Sequence, residues 1–182
     1  MGKFMFFILK IFGWKIDPNP PQGVKKCVVV MGPHTSNWDF IIGRMTFSYY
    51  GVNAKFLIKK ELFFFPMGLI LKAMGGIPVD RKKGSNVTDQ AVSIFSNSED
   101  IYMVFTPEGT RSYNPNWKRG FYHIAKRANV PIYIGYIDYK KKIGGFASLF
   151  EPTGDIKKDI LAIKKVLSQY QGKVPENGIR IE

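Results

Sequence analysis

The stretch Lys26-Cys27-Val28-Val29-Val30-Met31-Gly32-Pro33-His34-Thr35-Ser36-Asn37-Trp38-Asp39 decides how the chain is read. Cys27 to Met31 is an unbroken apolar run rich in β-branched valine, short enough to be a strand buried on both faces. Directly behind it come an imidazole and, five positions on, a carboxylate. Packing does not explain that placement, and the chain has only two histidines to spend. The ends of strands in α/β sheets are where ligands and reactive groups gather, so His34 marks a candidate site.

Outward from this strand, extended and helical patterns alternate. Lys26–Met31, Ala54–Ile58, Ile77–Val79, Ile101–Phe105 and Pro131–Tyr136 read as strands. Between them, Asn37–Tyr50, Asn86–Phe95 and Arg119–Ala128 have helical character, and Ile156–Tyr170 closes the chain with Ile160, Ile163, Val166 and Leu167 at helical spacing. Ser36 or Asn37 is placed to cap the first of these helices. Alternation of this kind predicts a single α/β domain with a mostly parallel central sheet flanked by helices. The segment Leu62-Phe63-Phe64-Phe65-Pro66-Met67-Gly68-Leu69-Ile70-Leu71 is strongly apolar but interrupted by Pro66 and Gly68. It reads as a core helix starting at Pro66, with an apolar groove or membrane-facing surface for an acyl chain as the alternative.

Composition sets bounds on function. A chain of 182 residues with 45% hydrophobic content can bury one core of ordinary size. The lone cysteine, Cys27, sits inside the valine run and reads as a small buried hydrophobe in a chain that can form no internal disulfide. A reducing, cytosolic setting fits. The formal charge is +13, with residues 1–83 contributing 13 Lys/Arg against 4 Asp/Glu and the remainder 14 against 10. Such an excess suits an anionic membrane surface, a phosphorylated substrate or nucleic acid, and charge alone does not choose among them.

Residues 1–17 read as a separate N-terminal segment, cut off from the domain at 18–182 by Pro18-Asn19-Pro20-Pro21. The run Phe4–Leu9 is too short to span a bilayer, which takes about 20 residues, and no small-residue cleavage site follows to make it a secretory signal. Lys3 and Lys10 share one helical face with Phe and Ile around the rest, a pattern that suits a helix lying in the interface of an anionic membrane. The other reading is a helix packed on its own domain.

His34 and Asp39 would stand about 140° apart on one helix and would not touch. With His34 in the loop and Asp39 in the first helical turn, the carboxylate can fold back on the ring, fix its tautomer and stabilise the imidazolium. That makes a general base without a nucleophile of its own: Ser36 is too close in sequence, and no Gly-x-Ser-x-Gly elbow exists. A hydroxyl on a bound substrate fills the gap. Two more clusters follow strands. Gly75-Gly76-Ile77-Pro78-Val79-Asp80-Arg81-Lys82-Lys83 ends in three cations, and Phe105-Thr106-Pro107-Glu108-Gly109-Thr110-Arg111-Ser112 gathers a carboxylate, a glycine, hydroxyls and a guanidinium suited to binding a phosphate.

In these blocks the chain resembles the glycerolipid acyltransferases typified by 1-acylglycerol-3-phosphate acyltransferase. His34 and Asp39 match the family's His-x4-Asp. Gly76 to Arg81 is similar to its second block, and Phe105 to Ser112 to its Phe-Pro-Glu-Gly-Thr-Arg-Ser block, with Thr106 inserted before the proline. A fourth block is met only in part, by Val130-Pro131-Ile132. The resemblance runs from about Val28 to Gly135 and implies an acyltransferase fold and a peripheral place on the cytoplasmic face of the membrane. It implies transfer of a fatty acyl group from acyl-CoA or acyl carrier protein to a hydroxyl of a lysophospholipid such as 1-acylglycerol-3-phosphate. Another lysolipid or a small hydroxylated acceptor stays open.

In that scheme His34 deprotonates the acceptor and Asp39 orients it. Arg81 and Arg111 hold the acceptor phosphate, while Glu108, Gly109 and Thr110 shape its site. Neither cofactor nor metal is expected, because two histidines and one cysteine, widely spaced, make no zinc site. Lys118, Arg119 and Gly120 read as a solvated helix start and His123 as structural. A thioesterase using the same base on water is one competing reading. A basic membrane- or nucleic-acid-binding module is another, but it leaves the order of His34, Asp39, Glu108 and Arg111 at strand exits unexplained, and no RNA-binding signature is present.

Overall fold

The computed structural model describes residues 2–80 and 86–181. Seven strands form one sheet: β1 (Lys15–Ile16), β2 (Lys26–Gly32), β3 (Ala54–Lys59), β4 (Gly76–Val79), β5 (Ile101–Phe105), β6 (Ile132–Asp138) and β7 (Ile143–Phe150). Their order is β1-β7-β6-β2-β5-β3-β4, and every pairing is parallel except the β6–β7 hairpin. Six helices flank the sheet: α1 (Gly2–Ile11), α2 (Trp38–Tyr50), α3 (Met67–Ala73), α4 (Val87–Ser96), α5 (Gly120–Ala128) and α6 (Ile156–Leu167). The expected α/β architecture is present. The short strand β1 and the antiparallel β7 were not expected from the sequence, since neither carries a strong apolar run.

β2 lies in the middle of the sheet between β5 and β6, with Val28 in register with both Met103 and Ile132. Its side chains alternate between two cores, as a period of two requires. Val28 and Val30 pack with Ala91 and Phe95 of α4, Phe121 and Ile124 of α5, and Ile163 and Leu167 of α6. Cys27, Val29 and Met31 pack with Leu9 of α1 and Ile42 and Phe47 of α2. Each fully buried valine contributes about 1.5–3 kcal/mol relative to exposure, so the run fixes the centre of the fold by itself. Burial also pushes the Cys27 thiol up, leaving it an inert core group.

The N-terminal segment is tied to this body. Leu9 and Trp14 are buried, Lys15 pairs along β7, and Asp17 accepts bonds from the Tyr136 hydroxyl at its carboxylate and the Tyr50 hydroxyl at its carbonyl, both at 2.6 Å. Phe7, Ile11 and Phe12 remain exposed, so α1 packs through one face and leaves another open. Among the described residues, no helix is long and apolar enough to cross a membrane.

The apolar segment after β3 departs from the core-helix expectation. Pro66 does stand at the start of α3, but Gly68 is the only buried residue of that helix, and Phe65 is 85% exposed. The helix has seven residues, and the turn that leads back into β4 is closed by Gly75 at φ +88°. A Cβ on Gly75 would lie 2.4 Å from the Ala54 carbonyl oxygen. Left-handed backbone and backbone crowding act together there. Gly75→Ala is therefore expected to lower stability by about 2–4 kcal/mol, measured as a shift of the urea unfolding midpoint; an unchanged midpoint would show that the turn can relax.

Candidate active site

All the chemistry gathers at one edge of the sheet, the C-terminal ends of β2, β3 and β5. β2 feeds α2 on one face while β5 feeds α5 on the other. Neighbouring strands whose crossovers leave to opposite faces open a crevice between them, and the loops carrying His34 and Thr106–Arg111 meet there.

Asp39 organises the first loop. Its Oδ2 accepts from the Thr35 and Ser36 backbone N–H groups, both at 2.8 Å, and lies 3.1 Å from His34 Nδ1; its Oδ1 accepts from the Tyr139 hydroxyl at 2.6 Å. Burial works to raise the carboxyl pKa, but the bonds from His34, Tyr139, Ser36 and Thr35 outweigh it and hold Asp39 below the usual carboxylate range. Desolvating a carboxylate costs several kcal/mol, and hydrogen bonds to a charged group return about 1.5–3 kcal/mol each, so four donors suffice. An ionised carboxylate only accepts. His34 Nδ1 must then carry the proton, which leaves Nε2 with a free lone pair. The ring is 22% exposed, so this base is open to a substrate.

Asp39 thus folds back from the first turn of α2 onto the N–H groups of the turn that precedes the helix. Asn37 occupies the N-cap position of α2 without a side-chain cap bond, because its Oδ1 accepts instead from Arg111 Nη1. That bond ties the loop after β5 to the loop carrying the histidine. Ser36 Oγ makes only a 3.3 Å contact to the Trp38 N–H.

Of the other expected site residues, Glu108 lies behind the loop rather than in the crevice. It is buried, and its Oε1 accepts from the His34 backbone N–H at 3.0 Å. Burial is the main effect and raises its carboxyl pKa, against the lowering effect of that bond. Glu108 therefore positions the histidine main chain. Gly109, at φ +67°, has the Lys118 side chain laid over it, where a Cβ would come within 2.5 Å of Lys118 Cε. Thr110 is exposed, and its Oγ1 accepts from the Ser112 N–H at 3.4 Å. Arg81, with Lys82 and Lys83, lies outside the described residues. His123 is exposed on α5 with its ring edge-on to Tyr122, away from His34.

His34 forms part of the wall of two cavities. One, of about 350 Å³, runs between α2 and the sheet and is mostly apolar, with Phe40, Phe47, Phe56, Leu57 and Ile137. The other, of about 500 Å³, lies toward α4 and α5, where Thr88, Thr106 and Lys118 join a lining that includes Leu57, Val87, Phe105 and Phe121. A base between two largely apolar chambers, one of them carrying two hydroxyls and an ammonium, can take a proton from a hydroxyl held on that side while a carbonyl on an apolar chain is presented from the other.

Comparison with known proteins agrees with this geometry. A family model described as Acyltransferase matches residues 17–136. The chain belongs to the acyltransferase family. The fold of this acyltransferase is similar to the crystal structure of the 1-acyl-sn-glycerophosphate (LPA) acyltransferase PlsC from Thermotoga maritima, with a TM-score of 0.67 and 17% identity over 92% of this chain and 75% of that one. No curated protein sequence matches.

Tyr139 has no signal in the sequence, since it stands 100 positions from the carboxylate it serves. It follows the last residue of β6 and lies edge-on to Trp14 at 5.0 Å. Burial and the Asp39 carboxylate push its phenol up, so it stays a donor. Because Asp39 is held below the ordinary value of 3.8, its contribution to stability is complete above that value and is lost as pH falls through the lowered one. Asp39→Asn should therefore destabilise the acyltransferase by about 1–3 kcal/mol at neutral pH, with the gap to the parent protein closing below pH 3.8. Urea unfolding across pH tests this, and a gap that stays constant would rule out the ionised carboxylate as its source.

Proposed function

We propose that this acyltransferase moves a fatty acyl group from acyl-CoA or acyl carrier protein to a hydroxyl of a lysophospholipid such as 1-acylglycerol-3-phosphate, working on the cytoplasmic face of a membrane. The observation that carries the reading is His34 in the wall of two largely apolar cavities, one of which adds Thr88, Thr106 and Lys118, with its ring held by Asp39. The named substrate of the structurally similar PlsC supports the choice of acceptor.

Nε2 of His34 takes the proton of the acceptor hydroxyl as its oxygen attacks the thioester carbonyl. The imidazolium that forms is stabilised by Asp39, the more so because Tyr139 and two backbone amides keep that carboxylate ionised. Collapse of the tetrahedral intermediate breaks the carbon–sulfur bond, and the imidazolium returns its proton to the departing thiolate. No acyl-enzyme forms, because the acceptor oxygen is the nucleophile. The acyl chain takes the cavity beneath α2. The acceptor phosphate is met by Arg111, braced through Asn37, and by Arg81. The excess of cations also suits acyl-CoA, acyl carrier protein and anionic lipid, all of which are negatively charged.

His34→Ala should lower turnover by about a thousandfold, while losing one of four donors to Asp39 lowers stability by only about 1–3 kcal/mol; turnover is followed by release of free thiol from acyl-CoA in the presence of 1-acylglycerol-3-phosphate. Free fatty acid formed at the same rate with and without the acceptor would make the protein a thioesterase instead. Tyr139→Phe keeps the ring but removes one donor to Asp39, and about a tenfold fall in kcat with KM little changed is expected; unchanged kcat would remove Tyr139 from the relay.

A further inference from the structure

Between β3 and β4 the chain passes through a 3₁₀ turn (Lys60–Leu62) and α3, and large apolar side chains point outward along its whole length. Leu62, Phe64, Phe65, Met67, Leu69 and Ile70 are all exposed. Contiguous exposed apolar surface of this kind marks a site of contact with a partner or a membrane. The segment is also cationic at its flanks, with exposed Lys59 and Lys60 before it and exposed Lys72 in its last turn, against one acid, Glu61. Lys60 is paired with Asp80, which pins the base of the segment to the end of β4.

We propose that residues 62–70 form a membrane-insertion knuckle, with Phe64, Phe65, Leu69 and Ile70 entering the interface of an anionic bilayer while Lys59 and Lys72 meet its headgroups. Aromatic and aliphatic side chains flanked by lysines match both layers of such an interface. Position in the fold selects a bilayer over a protein partner. Leu57 and Ile58, the residues of β3 that lead into the knuckle, line the same apolar cavity as His34. Arg44, on the opposite wall of that cavity, donates to the Met74 carbonyl just past the end of α3. The knuckle therefore extends directly from the cavity wall, tied to it at both ends, and insertion would bring the cavity to the lipid surface that holds an amphiphilic acceptor. The lipid acceptor rests on the function proposed above; the insertion itself does not.

The test is co-sedimentation of the full chain with phosphatidylcholine vesicles, with and without phosphatidylglycerol, in the absence of acyl donor and acceptor, so that a failure of binding is separate from a failure of catalysis. Phe64→Ser/Phe65→Ser should keep the parent unfolding midpoint, because both side chains are already in solvent. Its partition onto phosphatidylglycerol-containing vesicles should fall by at least about tenfold. Any turnover of a short-chain acceptor dissolved as monomer should be retained, while turnover of the same headgroup presented in vesicles drops. Equal partition of variant and parent would overturn the proposal. So would equal binding of the parent to neutral and anionic vesicles, or loss of binding only in Phe7→Ser/Phe12→Ser, on α1 and the turn after it. A dimer in sedimentation velocity that the knuckle variant dissolves, with vesicle binding intact, would make the surface a contact between copies and also overturn it.

Discussion

The carboxylate of Asp39 is the constraint from which the site follows. A buried charge of this kind survives only if its lone pairs are filled, and here the donors come from three separate places: the turn behind β2, the ring of His34, and the residue after β6. Filling those lone pairs winds the turn around the carboxylate and starts α2. It also sets which ring nitrogen carries the proton. Folding of the loop and preparation of the base are thus one interaction, and a partial version would leave a desolvated charge short of partners at a cost greater than the bonds are worth singly.

A second buried carboxylate supports the first from the other side. Glu108 holds the main chain of His34 while Asp39 holds its ring, so the histidine is fixed at two points by residues that follow the adjacent strands β5 and β2. Their environments push the two pKa values apart. Four donors keep Asp39 ionised, whereas burial with one bond from the loop raises Glu108. The two carboxyls therefore differ by their surroundings: desolvation is outweighed by hydrogen bonds at Asp39 and prevails at Glu108.

The parallel sheet makes this arrangement possible. β2 and β5 lie side by side in register, and their crossovers go to opposite faces. The crevice so formed has an apolar wall from α2 and β3 and a more polar wall from the loop after β5. Reactants of opposite character are therefore sorted before any residue acts on them, and positioning of this sort is among the largest contributions a protein makes to a two-substrate reaction.

The α/β class, the central strand and the pairing of His34 with Asp39 are legible in the order of residues alone. Each depends on signals local in the chain: a valine run with buried alternation, and a base and carboxylate spanning one loop and one helical turn. Only the tertiary structure decided the rest. Tyr139 reaches Asp39 because β6 lies beside β2, which no spacing encodes. Asn37 gives up its capping role because Arg111 arrives from another loop. Glu108 sits behind His34 because the β2–β5 register brings it there. The Leu62–Ile70 segment has the composition of a core helix, yet it connects β3 and β4 at the outer side of the sheet and its apolar side chains are exposed. Hydrophobicity states what a side chain would gain from burial; whether a surface is there to bury it is set by the packing of the whole chain.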